Sequence, residues 1–213
     1  MISAVIFDFD GIIVDSEKLH WAAFDRVARP LGKIISWPEY VDAFIGFDDR
    51  DAFRHAFPGL EKNELAELMK KKAAAFQDLL ESDGAAALPG SVDLINRLSG
   101  NIPLAICSGA LRQDILPVLK KLGIEKAFDT IVTADDTHIS KPDPAPYKLA
   151  AKTLGVISGL AIEDTPAGIS SAKGAGLKVL AVTNSYASEF LTQADAVVAS
   201  LEGLTLEKLN ALL

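Results

Sequence analysis

Short apolar runs, several rich in β-branched residues, recur along this 213-residue chain, separated by stretches with helical patterning. The runs are Ala4-Val5-Ile6-Phe7, Pro103-Leu104-Ala105-Ile106-Cys107, Ile131-Val132-Thr133, Leu160-Ala161-Ile162-Glu163 and Lys178-Val179-Leu180-Ala181-Val182. Ala196-Val197-Val198 is a shorter run that suits a sheet edge. Residues 111–122 and 145–154 carry apolar positions three and four apart, and Gly123 and Gly155 follow them as helix stops. Continuous apolar strands alternating with helices predict an α/β fold, a parallel sheet covered on both faces. Ligands of such sheets bind at the carboxyl ends of the strands.

One region breaks this rhythm. From residue 16 to residue 87 the patterns are helical, over 16–31, 49–57 and 61–80, with turns at Pro58-Gly59 and Asp83-Gly84. A helical block directly after the first strand predicts an inserted domain of residues 16–87. The remaining segments, 1–15 and 88–213, form the α/β core, with hinges near Asp15-Ser16 and Ala86-Ala87.

Composition narrows the partners. A formal net charge of −8 disfavours nucleic acid and anionic membranes, both of which attract positive surfaces. The basic run Lys70-Lys71-Lys72 lies in a helical pattern and reads as a solvated face. No stretch approaches the ~20 apolar residues of a membrane span, and the N-terminus lacks the basic opening of a secretory signal. With a single cysteine, Cys107, no intramolecular disulfide forms, and a cytoplasmic location is expected.

The strand ends carry the chemistry. The first run leads into Asp8-Phe9-Asp10-Gly11, two carboxylates at one strand end, although Asp-Gly also suits a plain turn. The fourth ends in Glu163-Asp164, followed by Thr165-Pro166, where Asp164 or Thr165 suits a helix cap. Four carboxylates at one sheet edge repel each other unless a cation sits among them, and magnesium, with its preference for oxygen ligands, fits. Ser108-Gly109 follows the second run, where a hydroxyl and backbone N–H groups can receive an anion. Lys141-Pro142 follows the third. Singly, Ser108 also suits a helix N-cap, and Lys141 an exposed loop.

In this order, Asp8-Phe9-Asp10-Gly11, Ser108-Gly109, Lys141-Pro142 and Glu163-Asp164 resemble the four motifs of the haloacid dehalogenase superfamily. The resemblance covers essentially the whole chain. The helical insertion is similar to the cap of that superfamily's phosphatase and phosphomutase branches. The resemblance implies a Rossmann-like doubly wound parallel sheet with a helical cap, acting on a small phosphorylated metabolite, as monomer or weak homodimer. Asp8 would be the nucleophile that forms an aspartyl-phosphate, and Asp10 the acid and base. Magnesium would be held by Asp8, Asp10 and Asp164, with Glu163 bound directly or through water. Ser108, Gly109 and Lys141 would balance charge on the phosphoryl group, Lys141 counting also as catalytic.

Within the insertion, His20 and Arg50 are candidate substrate-binding residues. Arg50 also suits a surface pair with Asp48, Asp49 or Asp51, and Arg112 suits either substrate or solvent. Trp21 and Phe24 suit the insertion's own core. Hydrolysis of a sugar phosphate is the favoured activity. A β-phosphoglucomutase-like reaction is the alternative, supported by His20 but opposed by Ile45, where that branch carries a cap lysine. A non-catalytic binding protein is disfavoured because Asp8, Asp10, Lys141 and Asp164 are all intact.

Overall fold

The computed structural model describes residues 1–213. In chain order the elements are β1 (Val5–Phe7), β2 (Val14–Asp15), α1 (Glu17–Ala28), α2 (Trp37–Ala43), α3 (Asp49–Ala56), α4 (Lys62–Ser82) and β3 (Ala86–Ala87). There follow α5 (Ser91–Leu98), β4 (Leu104–Cys107), α6 (Arg112–Leu122), β5 (Thr130–Val132), α7 (Ala145–Leu154) and β6 (Leu160–Glu163). The chain ends with α8 (Pro166–Gly174), β7 (Lys178–Val182), β8 (Ala196–Val198) and α9 (Leu206–Leu212).

Six strands form one parallel sheet in the order β5-β4-β1-β6-β7-β8. The expected α/β class and Rossmann-like parallel sheet are therefore observed. Strand alternation sorts the side chains onto two buried faces. Val5, Phe7, Leu104, Ile106, Leu160, Ile162, Leu180 and Val182 share one apolar cluster with residues of α5, α6 and α9. The other face is built from smaller residues, Ala105, Cys107, Ala161 and Ala181, packed with Tyr147, Ala150, Ile169 and Ala172 of α7 and α8. Cys107 belongs to this core, and burial pushes its thiol up to about 12, so it serves packing.

The helical insertion leaves and rejoins the core through a two-stranded antiparallel ribbon, with Val14 opposite Ala87 and Asp15 opposite Ala86. Such two-residue strands are too short to show a sequence period, so the purely helical expectation missed β3. It missed α2 as well, although Ser36 caps that helix and Pro38 stands in its first turn. Phe24, Ile35, Phe53, Leu65 and Leu68 give the insertion its own apolar cluster, with Trp21 packed against it.

Besides the contacts that reach Asp10, the side chains of Arg50, Asp51 and Gln77 tie insertion to core. The Arg50 guanidinium donates to Thr137 O at 2.9 Å, and Ser140 Oγ donates to Asp51. Gln77 of α4 donates to Asp114 Oδ1 at 2.7 Å and to Gln113 O at 3.3 Å. Pro117, inside α6, has no N–H for the Gln113 carbonyl four residues earlier, which leaves that acceptor open to Gln77.

Candidate active site

β1 delivers Asp8 to the carboxyl edge of the sheet, where its N–H still follows the strand and bonds Ile162 O at 2.9 Å. Asp8 Oδ1 accepts from Phe9 N–H at 2.7 Å and pairs with Lys141 Nζ at 3.0 Å. The same ammonium donates to Glu163 Oε1 at 2.6 Å, and the buried Tyr147 hydroxyl reaches that oxygen at 2.7 Å. Thr165 Oγ1 donates to the other Glu163 oxygen at 3.3 Å. Burial works against the Lys141 charge, but Asp8 and Glu163 outweigh it and raise the pKa, so the residue stays an ammonium. Glu163 therefore holds Lys141 against Asp8 in a buried network.

Asp164 lies beside this network. Its Oδ2 accepts from Ser185 Oγ, while its Oδ1 is buried with no hydrogen-bond donor. Asp8, Glu163 and Asp164 offer ligand oxygens that all lie within 4.8 Å of one another. Burial, reinforced by the Glu163 charge, pushes the Asp8 carboxyl up to about 8 despite Lys141. Burial and the Asp8 charge raise Asp164 in the same direction. Oxygen donors, an orphaned carboxylate oxygen and mutual repulsion together fit a divalent cation.

Two glycines make the cluster possible. A Cβ on Gly11, whose φ is +76°, would lie 1.9 Å from Asp164 Oδ2. A Cβ on Gly168 would lie 2.0 Å from the Glu163 carboxyl, so only glycine lets α8 start so close to that side chain. Thr165 caps α8 by accepting from Gly168 N–H at 3.0 Å, which settles which residue of Glu163-Asp164-Thr165 is the cap.

Asp10 points elsewhere. Its Oδ1 accepts from Ser16 Oγ and lies 3.0 Å from His20 Nε2, and its carboxylate is absent from the cluster of Asp8, Glu163 and Asp164. On the far side of the imidazole, Lys72 Nζ sits 2.7 Å from His20 Nδ1 and 2.8 Å from Asp49. An ammonium only donates, so Nδ1 accepts and Nε2 carries the proton toward Asp10. Phe76 stacks on the ring with centroids 4.1 Å apart and fixes its plane. Burial alone would raise the Asp10 carboxyl, but His20 and the bonds from His20 and Ser16 hold it below its ordinary value.

The solvated face expected for the lysine run thus holds for Lys70 and Lys71 but not for Lys72, which is buried. Lys72 continues the inward stripe of α4, with Leu65, Leu68 and Phe76. Its ammonium lies 5.3 Å from the centre of the Phe76 ring and is matched by Asp49.

Asp8, Asp10, His20, Asp49, Lys72 and Lys141 line one cavity between insertion and core, which also includes Ser108, Gly109, Glu17, Phe24, Tyr40 and Phe44. Ser108 Oγ is engaged locally by Ala110 N–H at 3.0 Å. Arg50 does not line this cavity but a small adjoining one that shares Ser108, Gly109 and Lys141 with it, and there it donates to Asp48 Oδ2 at 2.8 Å and to Thr137 O at 2.9 Å. Arg112 is likewise turned away, bonded to Asp136 at 2.7 Å and to Ile131 O at 2.9 Å.

The model of the haloacid dehalogenase-like hydrolases matches residues 5–182, from β1 to the end of β7. The chain belongs to that family. Among its haloacid dehalogenase-like relatives, hexitol phosphatase A of Escherichia coli is 32% identical over 210 residues, covering 95% of this chain and 93% of that protein. β-Phosphoglucomutase of Bacillus subtilis is 31% identical over 222 residues, covering 97% and 93%. The crystal structure of CbbY from Rhodobacter sphaeroides in complex with phosphate superposes with a TM-score of 0.87 at 27% identity, over 99% of this chain and all of that one. This branch of the hydrolases therefore contains both phosphatases and a phosphomutase.

Several contributors escaped the sequence reading. Ser185 and Asn184, which donates to Gly11 O at 2.7 Å, follow β7 at the same sheet edge. Polar residues directly after a buried strand were the available signal. Tyr147 and Lys72 are single polar groups within buried helix faces, a pattern that marks a partner to be found.

Proposed function

We propose that this enzyme is a magnesium-dependent phosphatase that hydrolyses a small phosphorylated metabolite, a sugar phosphate or a close relative, through an aspartyl-phosphate on Asp8. The observation that carries this reading is the division of labour between two carboxylates at one strand end. Asp8 lies among Lys141, Glu163 and Asp164, whereas Asp10 is held apart by Ser16 and His20.

In this reading residues 16–87 are a cap over a core of 1–15 and 88–213, with the ribbon of β2 and β3 as the hinge. The ester phosphate docks against Ser108, Gly109 and Lys141, and an Asp8 oxygen attacks phosphorus. Asp10, a carboxylate in the free protein, takes up a proton from solvent as the substrate complex forms and gives it to the departing alkoxide. Asp10 then takes a proton from the water that cleaves the aspartyl-phosphate, which releases inorganic phosphate and restores Asp8. His20 orients Asp10 from the cap, so the acid is in place when the cap is closed. Lys141 neutralises the phosphoryl oxygens, and Glu163 keeps it there. Asp8, Asp164 and the Asp10 main-chain carbonyl would hold magnesium, which when bound would supply charge neutralisation to the phosphate.

The test is phosphate release from a panel of phosphorylated metabolites with and without magnesium, with Asp8→Asn as control. Release that needs both the metal and Asp8 supports the reading. Equal release by Asp8→Asn would sink it. The second reading is a phosphomutase, favoured by the similarity to β-phosphoglucomutase and by His20 on Asp10. Conversion of β-glucose 1-phosphate to glucose 6-phosphate, stimulated by a glucose bisphosphate primer, would select it.

A further inference from the structure

The insertion wall of the cavity carries three carboxylates, from Glu17, Asp48 and Asp49. Two of them have cationic partners: Arg50 bonds Asp48 at 2.8 Å, and Lys72 bonds Asp49 at 2.8 Å. Glu17 has none. Its one hydrogen-bond partner is the Tyr40 hydroxyl at 3.5 Å, a long contact. Phe24, Tyr40 and Phe44 line the same wall.

We propose that Glu17 is a specificity-determining residue that selects phosphate esters with an uncharged or cationic leaving group and rejects those bearing a second anion. This rests on the phosphatase reading and names its substrate class. The core wall already holds the cation for the reacting phosphate, Lys141. A second phosphate or a carboxylate on the leaving group would have to sit against the insertion wall. There the ammonium of Lys72 is engaged by Asp49 and His20, and Arg50 is turned to Asp48 and Thr137. The added anion would meet the Glu17 carboxylate with no free cation between them. A hydroxyl or ammonium, by contrast, gives Glu17 the donor it lacks, and the aromatic side chains accept the C–H face of a polyol. The same wall disfavours a bisphosphate as a bound species, which favours hydrolysis over the mutase cycle.

The test compares matched pairs at pH 8.5, where Glu17, pushed up to about 7 by burial, carries its charge. The pairs are fructose 6-phosphate with fructose 1,6-bisphosphate, and glycerol phosphate with phosphoglycerate. Glucosamine 6-phosphate is set against glucose 6-phosphate for the cationic case. One readout is kcat/KM; the other is the dissociation constant measured by calorimetry on the Asp8→Asn protein with magnesium. We expect the anionic member of each pair to be disfavoured by about ten- to a hundred-fold, from one uncompensated like charge across the cavity. Glu17→Gln should narrow that gap about ten-fold, by improving the anionic member.

A gap that is missing in the wild type overturns the proposal. So does a gap unchanged in a Glu17→Gln protein that melts cooperatively, or calorimetry that detects neither member. If no substrate releases phosphate while the binding gap persists and narrows in Glu17→Gln, the phosphatase reading falls and the charge selection stands. If monophosphates and bisphosphates are hydrolysed and bound alike, the phosphatase reading stands and the selection falls.

Discussion

On the core wall of the cavity, Lys141 lies 3.0 Å from Asp8 and 2.6 Å from Glu163, and Tyr147 and Thr165 complete the hydrogen bonding of Glu163. On the insertion wall, Glu17 faces the same cavity with a single hydroxyl at 3.5 Å. Around Glu163 the core wall is saturated and buried, so Lys141 and Asp8 are placed before any ligand arrives, and Asp164 Oδ1 is the one oxygen left for a cation. The insertion wall leaves a carboxylate under-satisfied, so a ligand can complete it. A reaction shared by many substrates requires the first arrangement; choosing among substrates requires the second. Between the walls run Lys72 and His20, through which the insertion reaches Asp10.

The sharpest way to break this contrast is to remove the cation of the core wall. Lys141→Met leaves Asp8 and Glu163 buried without a counter-charge. Its unfolding free energy should fall by about 3–5 kcal/mol in denaturant melts of the metal-free protein. A loss below about 1 kcal/mol would show that the core wall is not held by this ion pair.

A pH effect acts on the same wall. The folded metal-free protein holds Asp8 at about 8 against an ordinary 3.8, with Asp164 raised as well. Both groups therefore bind more protons folded than unfolded in that window. Stability falls as pH rises from about 4 to about 8, by up to about 1.4 kcal/mol per pH unit for each extra proton held. Magnesium should flatten or reverse the slope, because a bound cation takes over the work of the proton. Thermal melts across pH in chelator and in magnesium read this directly, and identical slopes would argue against a cation at these oxygens.

On the insertion side, Lys72→Met breaks the link from Asp49 to His20. We expect kcat to fall about ten- to a hundred-fold with KM little changed, since Asp10 loses its orientation rather than the substrate its contacts. A change in KM alone would instead make Lys72 a substrate-binding group. The smallest effect belongs to Tyr147→Phe, which deletes one hydrogen bond to Glu163. It should cost about 1 kcal/mol of stability, with a rate loss under about ten-fold, provided Lys141 keeps Glu163 in place.

The strand-end chemistry was legible because apolar strands must stop where the sheet meets the cavity. A polar residue directly after such a run, as at Asp8, Ser108 and Asp164, therefore stands out against its neighbours. Lys141 belongs to the same edge, although a loop separates it from β5. Lys72 was illegible for the opposite reason. Three consecutive lysines present one composition, and only the helical phase of α4 against α1 decides which of them is buried. Glu163 was read as a possible ligand, and the structure brings its oxygens near Asp8 and Asp164. It also engages both of them with its neighbour Thr165 and with Lys141 and Tyr147, which lie 22 and 16 residues away. Arg50, a candidate for the substrate, is drawn off by Asp48 and a core carbonyl.

The sequence by itself determined the alternation of strands and helices, the helical interruption and the polar groups that close each strand. These follow from local hydrophobic period and turn chemistry, which act over a few residues. Only the tertiary structure decided which charges neutralise which. Ion pairing depends on distances of a few ångströms between residues such as Lys72 and Asp49, or Lys141 and Asp8, brought together by packing from remote parts of the chain. That pairing leaves Asp8 among a cation and two carboxylates, Asp10 under the hold of the insertion, and Glu17 as the carboxylate of the insertion wall without a counter-charge.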